Sequence, residues 1–128
     1  QYPLEAHFVH QSAAGTLVVG VFFKEGAENN TLKKIWSVAP SAVGSVSLQG
    51  TLNALVFLPT SPEYFSYSGS LTTPPCTEGV HWVVMRQPME ASREQLQFLQ
   101  KLMGFSNNRM IQPLDGRLIS VANESDPR

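Results

Sequence analysis

Thr16-Leu-Val-Val-Gly-Val-Phe-Phe23 is short, rich in β-branched and aromatic residues, and apolar at odd and even positions alike. A half-exposed strand alternates apolar with polar residues, so a run without alternation describes a strand covered on both faces. Such a strand needs neighbours. Ala54–Leu58 and Val80–Met85 read as further strands. Pro3–His10, with its proline and its aromatic and β-branched residues, reads as extended. Two segments carry helical spacing instead. Leu32, Ile35 and Trp36 share a face over Thr31 to about Ala39, and Leu96, Leu99 and Met103 do so over Ser92–Met103. The second helix has both ends written into it: Ser92 with Gln95 makes a capping box, and Gly104 stands where a left-handed cap belongs. Ser41–Gly50 and Pro59–Pro75 are crowded with Gly, Pro and Ser and read as strands and turns. The expected fold is mainly β with peripheral helices, residues 1–128 forming part of one compact unit.

Composition agrees with a buried core and narrows the function. Of 128 residues, 42% are hydrophobic and only 15% charged, which excludes a disordered or charged-tail protein. Nine Lys and Arg against ten Asp and Glu leave a net charge of -1, so no field attracts phosphate backbones, and no nucleic-acid partner is expected. The longest uncharged stretch, Ile35–Pro62, is broken by Pro40, Gly44, Gly50 and Asn53, so no membrane-spanning helix is expected. The chain opens Gln1-Tyr-Pro-Leu-Glu, with neither a basic nor an apolar leader. Any targeting signal is therefore expected to have been removed or to lie upstream. Cys76, the single cysteine, is either a buried thiol or the orphan of a pair.

Three stretches could carry chemistry. In Pro3-Leu-Glu-Ala-His-Phe-Val-His10, strand alternation places Glu5, His7 and Val9 on one face and Ala6, Phe8 and His10 on the other. His7 and His10 therefore cannot share a metal. A carboxylate beside an imidazole can fix the tautomer that coordinates a metal, or can be a plain structural pair; one histidine alone makes no zinc site. In Tyr64-Phe-Ser-Tyr-Ser-Gly-Ser-Leu-Thr-Thr-Pro-Pro-Cys76, the glycine permits a turn and the prolines stiffen it, fixing the hydroxyls of Thr72 and Thr73. Those hydroxyls could orient a small polar reactant or simply satisfy the turn. In Val80-His-Trp-Val-Val84, Val80, Trp82 and Val84 share a face and His81 points the other way, as in a core strand. There is no phosphate loop, no Gly-x-Ser-x-Gly elbow and no Cys-x-x-Cys. Asn29-Asn-Thr and Asn123-Glu-Ser fit the glycosylation pattern.

Glu5-Ala-His-Phe-Val-His10, Tyr67-Ser-Gly-Ser-Leu-Thr-Thr-Pro-Pro75, Val80-His-Trp82 and Gln112-Pro-Leu-Asp-Gly-Arg117 together resemble the α-class carbonic anhydrases, in order and in spacing. The resemblance runs from about Tyr2 to about Ile119. It covers the C-terminal half of a family domain roughly twice this length. It implies part of that family's twisted, mostly antiparallel central sheet, and reversible zinc-dependent hydration of carbon dioxide to bicarbonate.

By that resemblance His7 is the last of three zinc-binding histidines and Glu5 the carboxylate accepting its other ring N–H. Thr72 is the catalytic residue that orients the attacking oxygen, with Thr73 its neighbour. Val9, Val18, Leu71, Val80 and Trp82 form the apolar wall that receives carbon dioxide. The other two zinc histidines, the acidic partner of Thr72 and the proton shuttle belong to an N-terminal segment, without which this chain is expected to be inactive. That segment, continuous or as a separate chain, is the expected partner, and sulfonamides and anions are the expected inhibitors. Cys76 resembles a cysteine that pairs with one near the N-terminus in bacterial members, which implies a periplasmic or secreted protein. A domain of this type that had lost its metal would be a binding or structural module instead.

Overall fold

The computed structural model describes residues 1–122; the Asn123 glycosylation pattern lies outside the described residues. In chain order the elements are β1 (Leu4–Ser12), β2 (Gly15–Glu25), α1 (Asn30–Trp36), a 3-10 turn (Ala54–Phe57), β3 (Tyr64–Ser70), β4 (Glu78–Met85), β5 (Met89–Ala91), α2 (Arg93–Met103) and β6 (Ser120–Ala122). The strands form one sheet in the order β1-β2-β4-β3-β6, and β5 pairs with the far end of β2. The β1–β2, β3–β4 and β3–β6 pairs are antiparallel, while β2 runs parallel to β4 and β5. The architecture is mainly β, the sheet mostly antiparallel.

The uninterrupted apolar run lies where two-sided cover requires, inside the sheet. Val21 and Phe23 of β2 join Leu32, Phe57, Met85 and Ala91 in one core, against which Leu4, Ala6 and Phe8 of β1 and the helix residues Ile35, Trp36 and Leu96 pack. Val18, on the opposite face, joins Val80, Trp82 and Val84, with Phe22, Tyr67 and Leu71 packed around them. Helices thus cover one face of the sheet and leave the other to the Trp82 cluster.

One amide side chain ties the start of α1 to the start of α2. Gln95, only 7% exposed, accepts at Oε1 from the backbone N–H of Asn29 and of Ser92, and donates through Nε2 to the Asn29 carbonyl at 2.7 Å. Asn29 caps α1 in turn, its Oδ1 accepting from Thr31 and Leu32 while its Nδ2 donates to the Glu90 carbonyl. Ser92 and Gln95 complete the expected capping box, and Gly104 closes α2 at φ 72°.

Three expectations are corrected. Ala54–Leu58 is not a strand but a 3-10 turn, because the Asn53 side chain accepts the Leu55 N–H and only Phe57 is buried; a short apolar run does not distinguish the two. The first helix ends at Trp36 rather than near Ala39. Val38 and Ala39 bond back to Ile35 and Trp36 in tighter turns, and Pro40 cannot extend the helix. Ser41–Gly50 contains bends and no strand. Among the described residues, no helix is long and apolar enough to cross a membrane.

Candidate active site

The β1–β2 register sets Glu5 opposite Phe22, His7 opposite Gly20 and Val9 opposite Val18. Alternation sends Leu4, Ala6 and Phe8 to the helix-covered core and leaves Glu5 and His7 on the Trp82 side, with His10 on the face of Phe8. His7 Nε2 stands 3.0 Å from Glu5 Oε1. A neutral ring that donates there keeps its lone pair on Nδ1, the tautomer suited to coordination through Nδ1. Both side chains are about one-third exposed, enough for a ligand from outside to reach them.

Trp82 is the floor on which this pair rests. The His7 ring meets the indole edge-on, centroids 4.9 Å apart at 76°. Tyr67, opposite Trp82 across β3–β4, stacks near-parallel to it at 6.4 Å, and Trp82 Nε1 donates to the Ser70 carbonyl at 3.0 Å. A Cβ on Gly69 would lie 3.0 Å from the indole Cδ1, so a side chain there would press on the ring and make it give by a few tenths of an ångström. Burial raises the Tyr67 pKa, the Glu5 charge raises it further, and Arg117 pulls it partly back. The phenol stays protonated at neutral pH.

Thr72 is carried by the bend after β3. Leu71 N–H donates to the Thr77 carbonyl and Cys76 N–H to the Thr73 carbonyl, both at 2.9 Å, and the Pro74–Pro75 peptide is cis. This bend brings Thr72 to a cleft of about 560 Å³ that Glu5, His7, Tyr67, Trp82 and Arg117 also line. Residues 65 positions apart thus share one cavity. Val18, Leu71 and Val80 sit together in the Trp82 cluster, while of the five expected wall residues Trp82 is the one that lines the cleft. Val9 is 55% exposed, and Thr73 is exposed on the bend.

The other two histidines stand apart from this site. His81 pairs through Nε2 with Ser66 Oγ at 3.1 Å, and His10 is exposed. Cys76 is a free, half-buried thiol. Among the described residues no three His, Cys, Asp or Glu side chains gather in a group that could hold a metal, so His7 contributes one candidate ligand. Sequence reasoning missed Phe22 and Tyr67, which line the cleft, although Phe22 lies two positions beyond Gly20 on the same strand face and carried a usable signal. It also gave no structural role to the irregular segment from Arg109 to Ile119. There Arg117 donates to the carbonyls of Ser68, Pro113 and Leu114, pinning the segment against β3.

Residues 1–123 match the family profile of eukaryotic-type carbonic anhydrases. The chain belongs to the carbonic anhydrase family. It is 46% identical over 121 residues to a carbonic anhydrase of Pectobacterium carotovorum, covering 93% of this chain and 50% of that protein. To one of Neisseria gonorrhoeae it is 40% identical over 119 residues, covering 92% and 47%. The α-carbonic anhydrase of Thermovibrio ammonificans, solved in complex with the inhibitor sulfanilamide, superposes with a TM-score of 0.88 at 51% identity, over 92% of this chain and 53% of that one. The chain spans about half the length of the curated relatives it matches.

Proposed function

We propose that this chain is the C-terminal part of an α-carbonic anhydrase domain that reversibly hydrates carbon dioxide to bicarbonate and a proton, and that its site is completed by residues of the domain's N-terminal part. The observation that carries this reading is the meeting of a Glu5-oriented His7 with Thr72 in one cleft above Trp82. The donor set fits zinc: His7 offers a neutral imidazole with Nδ1 free, backed by a carboxylate, as one of the three protein ligands a catalytic site requires. When bound, zinc supplies Lewis acidity, which lowers the pKa of water to about 7.

The chain's own residues do the rest. Glu5 holds the His7 ring in one tautomer and orientation. The Thr72 hydroxyl accepts a hydrogen bond from the attacking oxygen's O–H and so aims a lone pair at the carbon of carbon dioxide. Trp82, with Val18, Leu71 and Val80 around it, makes the adjoining surface apolar, which suits a substrate of little polarity and deters water from filling its place. A new C–O bond gives bicarbonate, and one proton leaves to solvent.

The same reading places the protein outside the cytoplasm, with Cys76 bonded to a cysteine of the N-terminal part, and makes sulfonamides and anions inhibitors. The test is substitution of His7 by Ala in the complete domain. Zinc stoichiometry, measured by metal analysis after dialysis, is expected to fall well below one per domain and hydration to cease. Full zinc content and full turnover would remove His7 from the site. Stoichiometric binding of another ligand by a wild-type domain that holds no zinc would favour a non-catalytic module.

A further inference from the structure

Gly20 sits in the middle of β2, where a glycine forgoes side-chain packing and weakens the strand. Its backbone does not require glycine, since its φ lies outside the left-handed region. The space above it does. A Cβ built there would stand 3.0 Å from Glu5 Oε1, but 3.5 Å from Val84 Cγ2 and 3.7 Å from Trp82 Cζ3, which are ordinary contacts. The one tight contact is with the same oxygen that accepts from His7 Nε2. His7 is also the residue directly across the strand pair from Gly20.

We propose that Gly20 is a positioning residue: its missing side chain is the berth in which the Glu5 carboxylate lies, and through Glu5 it sets the tautomer and orientation that His7 presents to a metal. This rests on the reading of His7 as a ligand and extends it to a residue that touches neither metal nor substrate. An alanine Cβ at position 20 would press on Oε1 and displace it by a few tenths of an ångström from its seat, while meeting Val84 and Trp82 at ordinary distances.

The test is a double-mutant cycle in the complete domain, read as zinc affinity by chelator competition. Gly20→Ala is expected to weaken zinc about tenfold, the low end of the range for losing an outer partner of a metal ligand. In a Glu5→Ala background, where no carboxylate remains to displace, adding Gly20→Ala is expected to change affinity less than about twofold. The ring ¹⁵N shifts of His7 in metal-free protein give a readout independent of activity: one Nε2-protonated tautomer in the wild type, a mixture in Gly20→Ala. Equal losses in both backgrounds, or an unmoved tautomer, would overturn the proposal. If Gly20→Ala alone does not fold, a folded double variant supports it, and two unfolded variants refute it. Loss of zinc in His7→Ala and Glu5→Ala with none in Gly20→Ala overturns this inference alone. Unchanged zinc in all three overturns the reading of the site together with it.

Discussion

Thr72 and His7 show how differently two side chains can contribute to one cleft. His7 is fixed by a partner two positions away on its own strand, so its orientation is a local matter of alternation. Thr72 is fixed by a bend whose closing hydrogen bonds involve Leu71, Thr73, Cys76 and Thr77, and its place beside His7 depends on the whole sheet. Thr72→Ala removes one hydroxyl and leaves that backbone scaffold in place. Its expected effect is a loss of about 100-fold in hydration rate, the scale of one orienting hydrogen bond, with zinc affinity unchanged. Stopped-flow hydration alongside chelator competition checks this, and a rate within a factor of two of wild type would refute the orienting role. At this scale the Glu5–His7 pair was legible, because strand alternation alone puts those two side chains together. Tyr67 was not, because its contact with Trp82 arises from a register between strands that no single segment contains.

Among the elements, the parts that carry their own boundaries are those whose reading agrees with the structure. α2 has its capping box and its Gly104 stop, and β2 has its unbroken apolar run. The 54–57 turn lacked both kinds of mark: five apolar residues fit a strand as well as a turn, and the Asn53 side chain decided between them. Arg109–Ile119 has no periodicity to read, and guanidinium contacts with scattered carbonyls hold it. Gln95 serves two elements at once. Gln95→Ala leaves the half-buried Asn29 N–H and the Ser92 N–H without their partner, while the Asn29 carbonyl keeps only the Lys33 N–H. It is expected to destabilise the complete domain by about 2 kcal/mol, within the range for stranding buried polar groups. Urea unfolding checks the figure, and a change below about 0.5 kcal/mol would mean that water replaces the amide.

For the molecule as a whole, the arrangement of strands puts β1 at one margin of the sheet, with β2 as its only neighbour among the described residues. β1 is also the strand that bears His7 and Glu5. An outer strand offers a row of unpaired N–H and C=O groups to any strand that fits, and the site reading requires further imidazoles to arrive beside His7. The expected outcome is that the isolated 128-residue chain neither retains zinc through gel filtration nor hydrates carbon dioxide. Adding the N-terminal part as a separate polypeptide is expected to restore both. Zinc retention by the isolated chain would show that one imidazole and its neighbours suffice. The parallel β2–β4 pairing, Thr16 beside Val80, has a consequence for how the chain is made. A ribosome adding about 5–20 residues per second takes roughly 3–13 s to travel between those two positions. Throughout that interval the greasiest ribbon in the polypeptide waits beside the exit tunnel with one flank bare, a natural target for nascent-chain chaperones.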